Sequence, residues 1–163
     1  MTRRRAYLLP LVLFVSAVLM ILGTGFLTSR SMAYASAVDS IHHIQARACA
    51  YAGIEDARNK LLRDPHFPPE GDDDQAFFTY GETLNDMGSG GVVGTFVVTV
   101  DTTYSGKPYY VILVTSAGRT GDGESPHVIQ AEFDVAPYDR SDHSRENPHP
   151  MSVLNWKEEG LSL

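Results

Sequence analysis

The chain has 163 residues and a formal charge of −7 at neutral pH, enough for one domain plus an anchor. The charge is split: residues 1–63 carry 8 basic and 3 acidic side chains, and residues 64–163 carry 5 basic and 17 acidic. An acidic body repels phosphate, so no nucleic-acid partner is expected, and a single cysteine excludes an internal disulfide framework and a multi-thiolate zinc site.

Residues 1–6 form a basic leader containing Arg3, Arg4 and Arg5. Residues 7–28 then carry no charge at all. As a helix they would extend roughly 33 Å, the thickness of a bilayer's hydrocarbon core. A helix is the only single segment that satisfies its own backbone inside lipid. Arginines hold to the cytoplasmic side, so the remainder should lie outside. A removable secretory signal is the competing reading, with Ala35-Ser36-Ala37 as its small-residue site, but the apolar run exceeds the ~7–15 residues usual for one. A plain signal anchor without any assembly role is another.

The helix is expected to continue through residues 29–64 as an extended stalk. No proline stands between Pro10 and Pro65, alanine is abundant, and Asp64-Pro65 supplies the stop. A helix from Tyr7 to Arg63 would be about 86 Å long, too long for a small domain to bury. At 100° per residue, Tyr34, Ala37, Val38, Ile41, Ile44, Ala48, Tyr51 and Ala52 share one face. Ala50, Ile54, Ala57 and Leu61 form a second stripe nearly opposite. The first is expected to meet neighbouring molecules and the second the chain's own sheet. Gly23-Thr24-Gly25 could be either a packing notch or a weak point.

Residues 65–93 read as loop. Thr95–Tyr104 alternates as a half-buried strand, Tyr109–Ala117 is apolar on both faces as a central strand, and His127–Val135 alternates again. Short loops between them predict an antiparallel meander within 65–135, covered by the upper helix stripe. Residues 136–163 read as a polar C-terminal tail, within which Val153, Leu154 and Trp156 could dock. The fold class is therefore α+β.

This order resembles the type IV pilin superfamily, and within it the minor pilins and minor pseudopilins. The residues that carry the likeness are the alanine-rich stretch Gln45–Ala57, Tyr110–Arg119 and Val128–Phe133. The resemblance implies a long N-terminal helix packed on a small antiparallel sheet, and a processing junction at Ala6–Tyr7. The assembly stripe would be Tyr34, Val38, Ile41, Ile44 and Ala48. The implied role is a non-catalytic subunit that joins or primes a pilus-like or type II secretion-like filament from the inner membrane. Its partners would be other pilin-like subunits, met through the N-terminal helix, and an inner-membrane assembly platform. The family's glutamate at mature position five is replaced by Leu11, and its C-terminal disulfide loop is missing. A membrane-tethered extracytoplasmic binding module is the alternative.

Catalytic and cofactor signatures are not found. The six histidines include no helical i, i+4 pair with a glutamate between, and there is no Gly-x-Ser-x-Gly elbow. Gly118–Gly123 mimics phosphate-loop glycine spacing, but Glu124 stands where lysine is needed. Asp72, Asp73 and Asp74 are a calcium candidate without the spacing of a calcium loop. Cys49 reads as a small buried apolar side chain, with an intermolecular disulfide as the alternative.

Overall fold

Helix α1 runs from Leu8 to Arg63 in a computed structural model that describes residues 8–64, 67, 76–121 and 126–159. The chain divides into two compact units, residues 1–41 and 42–163. In the first unit the described residues are helical throughout, Arg30 included. Their apolar side chains point outward, with Phe14, Met20 and Ile21 each about 70% exposed (69%, 73% and 71%). The hydroxyls of Ser16, Thr24 and Thr28 donate back to the carbonyls of Leu13, Ile21 and Thr24 at 2.9–3.0 Å. The helix therefore carries its few polar side chains with their hydrogen bonds already made, as a lipid-facing segment requires. This is a helix long and apolar enough to cross a membrane.

In the second unit, the last turns of α1 pack on a five-stranded antiparallel sheet in the order β1-β2-β3-β4-β5. The strands are β1 Phe77–Asn85, β2 Val92–Asp101, β3 Val111–Thr120, β4 His127–Asp134 and β5 Val153–Glu159. Register aligns Tyr80, Val98, Ser116, Ile129 and Glu158 in one row, and Phe78, Val100, Val114, Ala131 and Trp156 in the next. These rows face the helix. The predicted inner stripe of Ala50, Ile54, Ala57 and Leu61 is buried against them.

Small residues set the closeness of that packing. A Cβ on Gly118 would stand 2.2 Å from the Ala50 nitrogen and 2.3 Å from the Ala46 carbonyl oxygen. On the helix side, a Cβ on Gly53 would meet the Ser116 hydroxyl oxygen at 2.3 Å. Each glycine thus removes the one atom that would hold helix and sheet apart.

Three expectations need correction. Part of the stretch read as loop, 65–93, is edge strand β1, which turns Phe78, Tyr80 and Leu84 toward the core. The segment read as a polar tail contains the other edge strand, β5, paired with β4 from Val128↔Glu159 to Phe133↔Val153. Strand β3 continues past Ala117 to Thr120, because Gly118 and Thr120 also face the helix side.

The intervening residues 136–150 are tied down by Asp134. Its carboxylate accepts from the Ala136 amide and the Arg140 guanidinium at 2.9 Å and from the Asn147 side-chain amide at 3.4 Å. Arg140 also donates to the Tyr109 and Tyr110 carbonyls. The loop thereby returns the chain to Met151, which is buried, and to β5.

Candidate functional site

The stripe assigned to assembly is distributed over both units. In the first, Tyr34 is 75% exposed and Ile41 53%, while Val38 is half-buried. In the second, Ile44 is 66% exposed and Ala48 is exposed, although their neighbours Ala46, Cys49 and Ala50 are buried. From His42 the helix is thus two-faced only in part: the inner stripe completes the core, Ile44 and Ala48 of the outer stripe are exposed, and Tyr51 and Ala52, expected to meet neighbouring molecules, instead pack half-buried against the chain's own core. Leader residues 1–6, the Ala6–Tyr7 junction and the Asp72–Asp74 triplet lie outside the described residues.

Two polar clasps fasten α1 to the two edges of the sheet. At the β5 edge, Arg47 donates through Nε and Nη2 to both oxygens of Glu158, at 2.9 and 3.0 Å. The Tyr51 hydroxyl and the Trp156 indole donate to the same carboxylate at 2.7 and 3.1 Å. The Tyr51 and Trp156 rings lie 4.9 Å apart. Four donated bonds favour the ionised acid, Arg47 foremost, and hold Glu158 far below the usual carboxylate range.

Beside this clasp lies His127, only 3% exposed. Among the described residues neither ring nitrogen has a hydrogen-bond partner. Its Nε2 stands 3.6 Å from Glu158, and the ring of His43 meets it edge-on at 5.1 Å. Burial, then the neighbouring His43, depress the basicity of His127, and the pull of Glu158 opposes them. The Trp156-Lys157-Glu158 alternation was the available signal for this cluster, since it turns Trp156 and Glu158 to the same side of a strand.

At the β1 edge, Lys60 bridges Asp56 and Glu82, and its ammonium lies 4.1 Å from the centre of the Tyr80 ring. The Tyr80 hydroxyl donates to Asp56 at 2.9 Å. Burial and this anion raise the Tyr80 phenol well above its ordinary range.

A polar cleft of about 370 Å³ opens between His42 and Gln45 of α1 and the β1–β2 turn, with Thr120 in its wall. Its carboxylate, Asp86, already accepts from the Ser89 amide and hydroxyl and from the Gly88 amide. Among the described residues, no three His, Cys, Asp or Glu side chains are grouped to hold a metal. His42 and His43 separate accordingly, one lining the cleft and the other against His127.

With the geometry thus defined, comparison with known proteins finds no matching family model, curated protein or solved structure.

Proposed function

We propose that the chain is a non-catalytic, membrane-anchored subunit of the pilin type, which joins or primes a pilus-like or type II secretion-like filament. One observation carries this reading: a single helix, Leu8–Arg63, is bare and apolar over its first part and supplies the core of an antiparallel sheet with its last. A simple tether needs no stalk with a second apolar stripe. Here Tyr34, Ile41 and Ile44 remain exposed in a polar-flanked stretch, and exposed apolar surface of that kind marks an interaction site. Helices that leave lipid for a filament would exchange acyl contacts for contacts with one another, driven by a motor on the cytoplasmic side.

Orientation follows from Arg3–Arg5, which keep the N-terminus cytoplasmic and the sheet extracytoplasmic. Removal of the leader at Ala6–Tyr7 would leave Leu11, not an acid, at the fifth mature position. In a pilin-like filament that residue would be unable to neutralise a neighbour's amino terminus, which suits a subunit set apart from the shaft. The second reading is a membrane-tethered binding module, supported by the cleft beside His42 and Gln45.

Site-specific crosslinking tests the choice. With Cys49 replaced by alanine, Tyr34→Cys or Ile41→Cys should give adducts with other membrane-anchored, pilin-like subunits in native membranes. Only monomer, together with an unprocessed N-terminus by mass spectrometry, would favour the tethered module.

A further inference from the structure

His127 holds a position that suits a neutral imidazole and penalises a charged one. It opens β4 on the helix-facing side, paired with Gly118 of β3, which offers no charge. From α1 it is faced by His43 and, further off, by Arg47; from β5 it is faced by Glu158. Its two nitrogens find no hydrogen-bond partner among the described residues, and its side chain is 4% exposed. An imidazolium there would need an anion. Among the described residues the anion within reach is Glu158, and both of its oxygens are already engaged by the permanent cation Arg47. A proton on His127 would therefore compete with Arg47 for that carboxylate, with the ring of His43 edge-on at 5.1 Å.

We propose that His127 is an acid-operated latch: protonation of its imidazole opens the contact between α1 and the β4–β5 edge and frees strand β5. The sign follows from linkage. The closed form binds the proton less well than the open form, so opening is favoured as pH falls below the ordinary histidine value of about 6.5. Glu158 does not titrate in that window, because its donors keep it ionised to much lower pH. The latch acts at one sheet edge only. Among the described residues the Lys60 clasp at the other edge contains no histidine and stays closed, so opening is local rather than global. This inference is independent of the filament reading, since it concerns only residues 42–163.

The sole tryptophan, Trp156, lies inside the latch and reports its state. Full-length chain in lipid nanodiscs is titrated from pH 8 to pH 4, following Trp156 emission and amide exchange. The wild type should show a red shift with its midpoint below the ordinary histidine value. Exchange in β5 should rise severalfold relative to β2, after correction for intrinsic rates. His127→Phe and His127→Gln should each abolish the transition, and His43→Ala, at an exposed position, should lessen the opening reached at pH 4, because it removes part of the penalty on the protonated closed form. The proposal is overturned by a flat wild-type titration. It is equally overturned by a transition that persists in either His127 variant that folds at pH 8, or by an undiminished opening in His43→Ala.

Discussion

Gly118 and Ala50 are in backbone contact: the position a Cβ would take on Gly118 is 2.2 Å from the Ala50 nitrogen. Neither partner can yield easily, since one belongs to a central strand and the other to the core stripe of α1. Gly118→Ala should therefore destabilise the second unit by about 1–3 kcal/mol or more, the usual range for forced overpacking. Gly25→Ala has open space around it and should be neutral or favourable by up to about 1 kcal/mol, through helix propensity alone. Denaturant melts of both variants in detergent, followed at Trp156, check the contrast. Equal effects would mean that the helix does not rest on Gly118.

The thiol of Cys49 is 3% exposed, and burial pushes it above its ordinary range. Thiolate is the reactive species, so labelling by iodoacetamide should be slow in the native chain and complete only after unfolding. Rapid native labelling, or a Cys49-linked dimer on non-reducing gels, would contradict the core position and restore the intermolecular disulfide as a reading.

Leu19 is exposed midway along the apolar run. Leu19→Arg should weaken membrane insertion by roughly 2.5–3.5 kcal/mol on translocon scales, whereas Ser40→Arg, beyond the run, should have little effect. Extraction of membranes at alkaline pH separates the two. Retention of the Leu19 variant in the pellet equal to wild type would count against a spanning helix.

Glu158→Gln keeps the shape of the side chain and removes the charge that Arg47, Tyr51 and Trp156 address. Trp156 emission should shift to the red at pH 7.5, and the β5 amides should exchange faster than those of β2. The wild-type clasp, with Glu158 depressed, loses its charge contribution only as pH falls below the ordinary carboxylate value, about 4.3. A variant whose emission matches wild type at pH 7.5 would show that Glu158 does not hold β5.

The α1 reading was available from residues alone because its signals are long and mutually consistent: uninterrupted apolar and alanine-rich sequence, then a proline stop. The inner stripe of Ala50, Ile54, Ala57 and Leu61 was legible for the same reason. The central strands β2, β3 and β4 were legible through β-branched alternation. The edge strands were not. In β1, Gly81 and Glu82 interrupt the alternation, and only Phe78, Tyr80 and Leu84 pack inward. In β5, the residues that face the helix include an acid, Glu158, whose inward position makes sense only once Arg47 and Tyr51 stand opposite. Periodicity along one segment cannot reveal a partner 111 residues away. For the same reason the His43–His127 contact could not be seen from the adjacency of His42 and His43.

Neighbouring strands in this sheet are also neighbours along the chain, so each hairpin can zip onto the previous one as the chain emerges. The Arg47–Glu158 pair cannot. Its halves are 111 residues apart, and it forms only after every other strand has been made. A polypeptide truncated before Trp156 would leave Arg47 and Tyr51 without the carboxylate they share, and most of the β4 edge without its paired strand.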